Sequence, residues 1–233
     1  MTTSLVAAAP PTPPTTFAGA TEALAIFVLL VVFAMLREAL LRSQVRLYAL
    51  QSLAVSTLAG VLAASQHAAD LYALAGISFL LKVVVVPAVV LHLLGEAEVD
   101  LAGSHRFGVA TMVLAGVVVS AFGFLAVGAV HLNPAGSGGL PVPALSAGAA
   151  TVLVSFVLVM FRADVVSQAV GFFSMENGVS VASLVFAARM PLILEVSFLF
   201  DVLVAALAFG VIMRAHHRRA ASLSTETLDQ LRG

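Results

Sequence analysis

The sequence predicts an all-α polytopic membrane protein with about seven transmembrane helices, and three observations carry that reading. Of 233 residues, 61 % are hydrophobic and 10 % are charged, where a soluble domain has about 25 % charged. Apolar stretches of about 20 residues, the length a bilayer core requires of a helix, recur along the chain. The arginines fall on alternate breaks between those stretches. A chain this poor in polar groups cannot cover its own surface with them, so lipid must be the solvent for much of it. The net charge of −1 excludes a general basic attraction to nucleic acid. The absence of cysteine excludes disulfides, thiolate metal sites, iron–sulfur ligation and cysteine nucleophiles.

The expected spans are Ala20–Leu36, Val45–Ala64, Leu71–Leu94, Phe107–His131, Pro143–Phe161, Val165–Ala188 and Pro191–Met213. Arg37, Arg42 and Arg46 separate the first two, and Gln66, His67 and Asp70 the next. A charged loop holding Glu96, Glu98, Asp100, His105 and Arg106 follows the third. Asn133-Pro134-Ala135-Gly136-Ser137-Gly138-Gly139 makes a turn-rich loop after the fourth. Arg162-Ala163-Asp164 is a short fifth break, and Arg189-Met190-Pro191 the sixth, with Pro191 suited to the first turn of a helix. Residues 1–16 read as a disordered Pro/Thr-rich tail without the basic n-region of a secretory signal peptide. Residues 17–161 hold helices one to five, 162–213 hold six and seven, and 214–233 form a polar tail.

Orientation follows from the arginines. With seven spans, one side carries Arg37, Arg42, Arg46, Arg106, Arg162, Arg214, Arg218, Arg219 and Arg232, and the other only Arg189. This places the C-terminus in the cytoplasm and the N-terminal tail outside, in the cell (plasma or inner) membrane.

A charge at the centre of a transmembrane helix costs about 2.5–3.5 kcal/mol on insertion scales, so such groups face the protein interior. Lys82, Glu176 and Asp201 fall at the middle of their spans. Glu195 lies one to two turns from Asp201, about 9 Å nearer the outer face. Two acids and one lysine in one layer permit a proton relay, because low dielectric draws the titration of carboxyl and amine groups together. The same groups could instead form a buried ion pair that fixes helix packing. Ser180 and Ser183 share a helix face with Glu176 and could hold water beside it. Pro87, five residues after Lys82, removes a main-chain donor in mid-membrane and is the candidate kink.

The six histidines show no metal-ligand spacing within a shared element, and no Gly-rich phosphate cradle or Ser/His/Asp arrangement stands out. Gly116, Gly123 and Gly128 are helix-packing candidates. The residues by themselves carry no redox or hydrolytic equipment, so the chain has no catalytic residues and no cofactor of its own.

The segment Gly171-Phe172-Phe173-Ser174-Met175-Glu176-Asn177-Gly178 resembles the signature of component E of hydrogenase-4 type complexes. So do Tyr48-Ala49-Leu50-Gln51-Ser52-Leu53, Phe79-Leu80-Leu81-Lys82-Val83-Val84-Val85-Val86-Pro87, the pattern Pro191…Glu195…Asp201 and the closing Thr227-Leu228-Asp229-Gln230-Leu231-Arg232-Gly233. The last three helices are also similar to the small K-type antiporter-like subunit of respiratory complex I, in which two membrane-embedded glutamates on successive helices serve proton transfer. Asp201 stands where the second would be. The place of the first is held here by Phe173, with Glu176 three residues on along the same face. The first four helices have no counterpart in that small subunit.

The resemblance implies a non-catalytic integral subunit of a membrane-bound [NiFe]-hydrogenase complex. Its partners would be antiporter-like membrane subunits, a membrane anchor subunit, and soluble hydrogenase and iron–sulfur subunits holding the nickel–iron and iron–sulfur centres. Electron transfer there would drive protons or sodium ions through the membrane arm. Two other classes stand beside this one: a structural scaffold joining antiporter-like subunits to the anchor, and a stand-alone transporter. The last usually shows internal repeats with paired broken helices; here Pro87 is the one strong kink candidate.

Overall fold

The computed structural model describes residues 15–67, 69–97, 108–130, 141–185 and 210. The chain runs through α1 (Thr15–Arg37), α2 (Leu41–Gln66), α3 (Ala69–Ser78), a π-helical segment (Phe79–Val85), α4 (Val86–Ala97), α5 (Val109–Ala129), α6 (Val142–Phe161) and α7 (Val165–Val185). Five helical stretches are long and apolar enough to cross a membrane: Gly19–Arg37, Leu41–Ser65, Leu71–His92, Val109–Ala129 and Val142–Phe161. The third of these joins α3, the π segment and α4 into one rod. The chain is therefore an all-helical, polytopic membrane protein.

The expected count of seven is narrower than what the described residues establish. α7 has 21 residues, enough length, but Ser167, Gln168, Ser174, Glu176, Asn177, Ser180 and Ser183 interrupt its apolar run, and it is not among the five. The expected span Pro191–Met213 lies outside the described residues, as do the loop 131–140 and the tail after Met213. α1 starts at Thr15, directly after the last proline of the N-terminal run, so Thr15 and Thr16 belong to a helix and not to a tail. α4 continues through Glu96 to Ala97, past the expected end at Leu94.

Local chemistry sets the ends. Asp164 ends the short break between α6 and α7, and its Oδ1 accepts the Ser167 amide at 2.7 Å. That is an N-cap bond, which satisfies one of the orphan donors of the first turn. Pro143 sits in the first turn of α6, where a missing N–H costs nothing. His67 closes α2 in the left-handed region at φ 53°.

α6 lies against α7, α5 and α1, and α2 against α1, α3 and α7. The polar helix α7 is thus covered on one side by α6 and on another by α2. Its pairing with α6 is close because glycines face each other. A Cβ on Gly148 would stand 2.9 Å from the Gly178 carbonyl oxygen, and one on Gly178 would stand 2.9 Å from the Val152 amide nitrogen. In lipid no hydrophobic force draws helices together, so such close backbone contact supplies the packing. Of the glycines expected to pack, Gly116 meets Phe33 and Leu36, and Gly123 meets the Ala150 backbone. Among the described residues, nothing comes within 4 Å of a Cβ placed on Gly128.

Two apolar clusters fill the interior. Met35, Leu36, Tyr48, Val90, Met112, Leu158 and Phe173 belong to the first, and Val28, Leu58, Leu62, Val181 and Leu184 to the second. α5 turns Leu114, Val118, Phe122 and Leu125 outward, as a helix in lipid does.

One corner joins the α1–α2 and α6–α7 breaks. Arg162, fully buried, donates through Nη2 to the carbonyls of Leu36 and Glu38. Gln44 Nε2 donates to the same Glu38 carbonyl at 2.8 Å, and Gln168 Nε2 to the Arg162 carbonyl at 3.0 Å. Burial lowers the Arg162 guanidinium from its ordinary value, and the nearby Asp164 and Glu38 carboxylates oppose that shift. The first and fifth breaks therefore share one end of the bundle, with Arg37, Arg42 and Arg46 exposed beside them.

Candidate functional site

The site begins with a helix that changes register. Over Phe79–Val85 the chain is wound as a π-helix, and the Val86 amide donates to the Leu81 carbonyl five residues back. An α-helix would have given that amide to Lys82. In the π register the donor for the Lys82 carbonyl is residue 87, which is proline and has no N–H. The Lys82 carbonyl is left without a main-chain donor from its own helix. π segments of this kind add one residue to a turn and often accompany function. Here the wide turn carries the one lysine of the chain.

The Lys82 side chain runs inward and is 1 % exposed, and its ammonium pairs with Oε2 of Glu176 on α7, itself 11 % exposed. Ser180, one turn beyond Glu176, closes the group. Lys82 Nζ donates to Ser180 Oγ at 3.1 Å, and Ser180 Oγ donates to Glu176 Oε1 at 3.0 Å. A carboxylate and an ammonium at this depth are tolerable only as a pair with further hydrogen bonds. Ser180 supplies those bonds. Of the two serines expected beside Glu176, Ser180 is the one that joins the pair.

A second network lies one residue along α7. Asn177 Nδ2 donates to Gln51 Oε1 at 3.2 Å and to Ser52 Oγ at 2.9 Å. Gln51 Nε2 in turn donates to the Val28 carbonyl of α1 at 3.1 Å. Gln51, Ser52 and Asn177 are all fully buried. Tyr48, one turn before Ser52, lies within electrostatic reach of Glu176 and beside Ser52, and its ring meets Phe173 at 5.5 Å between centroids. Ser155 of α6 donates to Ser174 of α7 at 2.8 Å, and Ser56 of α2 to Ser78 of α3 at 3.3 Å.

Of the residues picked out in the sequence, Lys82 and Glu176 are brought together, and Pro87 stands immediately after the π segment. Glu195 and Asp201 lie outside the described residues. Tyr48, Gln51, Ser52 and Asn177 were not among the site candidates. A signal was present: Tyr48, Gln51, Ser52 and Ser56 recur at helical spacing on one face of an otherwise apolar helix, and Asn177 adjoins Glu176. Arg162 was read as a loop charge, yet among the described residues it is the largest fully buried side chain. Among the described residues, no group of three His, Cys, Asp or Glu side chains could hold a metal ion.

No family model matches the chain, and no solved structure matches it. It is similar to Rv0085, an uncharacterized protein of Mycobacterium tuberculosis (strain ATCC 25618 / H37Rv), at 31 % identity over 121 residues, which cover 52 % of this chain. The chain spans about half the length of that relative, 53 %.

Proposed function

We propose that the chain is a non-catalytic integral membrane subunit of a complex I-like, membrane-bound [NiFe]-hydrogenase complex, and that it helps move protons or sodium ions as partner subunits transfer electrons. The single observation that carries the ion-moving part is the buried Lys82–Glu176 pair bridged by Ser180. Ionisable groups inside a membrane mark ion paths more often than they serve stability. The hydrogenase assignment rests on the resemblance of the segments around Tyr48, Lys82 and Glu176 to component E. On this reading Asp201 and Glu195 continue the relay from the following span. The antiporter-like, anchor, hydrogenase and iron–sulfur subunits are its partners and hold all redox centres. The protein sits in the plasma membrane as a seven-span chain with its arginine-rich end and C-terminus in the cytoplasm. The shared corner of the first and fifth breaks at Arg162 supports placing those arginines together.

One observation favours the scaffold reading. The Lys82–Glu176 pair is saturated by Ser180 and sits beside the glycine contact between α6 and α7, as a packing device would. Glu176→Gln separates the two. It keeps size and hydrogen bonding but cannot titrate. The relay reading expects an assembled complex with normal electron transfer to artificial acceptors and a reduced ion gradient. Normal pumping with normal assembly leaves the scaffold. The hydrogenase assignment has its own test: affinity purification of the full chain from its native membrane should bring down a nickel-containing partner.

A further inference from the structure

Along α2 the exposed positions fall on one line. Arg42, Arg46, Leu50, Leu53 and Thr57 are exposed, while Gln44, Tyr48, Gln51 and Val55 are buried. Steps of three and four residues keep a helical position on one face, so the five make a single outward ridge. Its head is charged and its body is apolar, with Leu50 at 41 % and Leu53 at 40 % exposure. At 1.5 Å per residue Leu53 lies about 10 Å beyond Arg46 along the axis, within the roughly 15 Å of hydrocarbon in one leaflet. The Thr57 hydroxyl donates to the Leu53 carbonyl of its own helix at 2.8 Å, so it gives its hydrogen to no neighbour.

The head of the ridge belongs to the corner that Arg162 ties together. Arg162 holds the Leu36 and Glu38 carbonyls, which fixes the break from which α2 starts. Among the described residues of that corner, Arg37, Arg42, Arg46 and Arg162 stand against the carboxylates of Glu38 and Asp164. Each carboxylate accepts a main-chain amide, Glu38 Oε1 from Leu40 at 3.3 Å and Asp164 Oδ1 from Ser167 at 2.7 Å. The balance of fixed charge at the corner is positive. Arg42 and Arg46 lie in the first two turns of a membrane-crossing helix, the depth at which arginine side chains reach headgroups. A guanidinium has five N–H donors in one plane and binds phosphate bidentately. Two of them one turn apart can hold one phosphate between them whatever else either touches.

We propose that this ridge of α2 is a binding site for an anionic phospholipid of the surrounding bilayer. The headgroup phosphate sits on Arg42 and Arg46, and an acyl chain lies along Leu50 and Leu53. Charge at one end, an apolar line of leaflet length and a self-satisfied Thr57 match an anionic amphiphile. The site does not depend on the relay or hydrogenase readings.

The test uses the full chain, with whatever subunits co-purify, in phosphatidylcholine nanodiscs doped with phosphatidylglycerol that carries a photoreactive acyl chain. Labelling should concentrate on Arg46–Thr57 of α2. Unlabelled phosphatidylglycerol should compete, and phosphatidylcholine and inorganic phosphate should not. Arg42→Gln and Arg46→Gln should each raise the phosphatidylglycerol needed for half-labelling about fivefold. Equal competition by phosphatidylcholine, or labelling unchanged in the double variant, means ordinary bulk lipid and overturns the proposal. Competition by inorganic phosphate overturns it as well, since the acyl chain then contributes nothing. A second measurement leaves both arginines in place. Leu53→Cys is unique in a chain without cysteine and can carry a benzophenone in the native membrane. A lipid adduct is the expected product; a cross-link to another polypeptide would show that a protein covers the ridge and overturns the proposal.

Discussion

The Lys82 ammonium and the Glu176 carboxylate meet in the interior from two rods that are far apart in sequence, and Ser180 bonds to both. The meeting depends on three separate features. Pro87, in the first turn of α4, withholds a main-chain donor from the wide turn that carries Lys82. The facing glycines Gly148 and Gly178 bring α7 close to α6. The Asn177–Gln51–Ser52 bonds set α7 against α2. Each can be removed by one substitution, and each removal has a different expected result.

The pair itself should show strong non-additivity. Lys82→Met alone strands a buried carboxylate, which costs about 3–5 kcal/mol when the partner of a buried pair is lost. Glu176→Gln alone should cost less, since the glutamine carbonyl oxygen still accepts from Lys82 and Ser180. The double variant Lys82→Met/Glu176→Gln should recover most of the loss. Thermal unfolding of the three variants in nanodiscs, read as a double-mutant cycle, should give a coupling above about 1 kcal/mol. Simple additivity would mean the two side chains are not paired in the membrane.

Pro87→Ala removes the ring that clashes with the carbonyl four residues back, at Val83, and supplies the amide an α turn needs there, so the α register should return. Removing one residue from the wide turn rotates Lys82 by about 100° relative to α4, away from Glu176. The expected outcome is a helix at least as stable as before, with the ion pair broken. Cross-linking between cysteines placed at Lys82 and Ser180 should then proceed readily in the parent background and poorly with Pro87→Ala.

Much of this was legible in the sequence, and what was not has definite causes. The five apolar crossings follow from composition and length alone. Counting residues along each span places Lys82 and Glu176 in one layer, and the two side chains meet. Pro87 marked a disturbance but not its form, because a kink and a π turn share the same missing donor. Tyr48, Gln51, Ser52 and Asn177 stand in the motifs that carry the resemblance but take no site role from the sequence, because single polar residues in membrane helices usually serve packing. What gives them meaning is that α2 and α7 touch, which no local pattern encodes. Arg162 escaped for the same reason, since its partners are the carbonyls of a distant break.

Gly178→Val should separate α6 from α7. Even the first carbon of the new side chain would lie 2.9 Å from the Gly148 carbonyl oxygen and the Val152 amide. Both are backbone atoms that cannot swing aside. Overpacking of this kind costs about 1–3 kcal/mol. Because Asn177 and Glu176 precede Gly178 directly, both networks should loosen together. Faster amide hydrogen exchange in α7 at Ser174–Ser180, with α1 unchanged, would report it.

Arg162 offers the sharpest distinction between charge and shape. Its Nη2 reaches two carbonyls at once, those of Leu36 and Glu38, and Glu38 also receives Gln44. Both bonds come from one nitrogen at the tip of the guanidinium, whose stem is one atom longer than that of lysine. Arg162→Lys keeps the positive charge near Asp164 and Glu38 but falls short of the two carbonyls. Hydrogen bonds from a charged donor are worth about 1.5–3 kcal/mol each, so the substitution should destabilise the bundle by about 2–3 kcal/mol. If net charge alone held the corner, Arg162→Lys would be neutral and Arg162→Gln harmful. If the two hydrogen bonds hold it, both substitutions should be harmful. Unfolding of both variants in nanodiscs at low and high salt decides between these, because a charge effect weakens as salt rises and a buried hydrogen bond does not. The hydrogen-bond account expects losses in both variants that are the same at both salts.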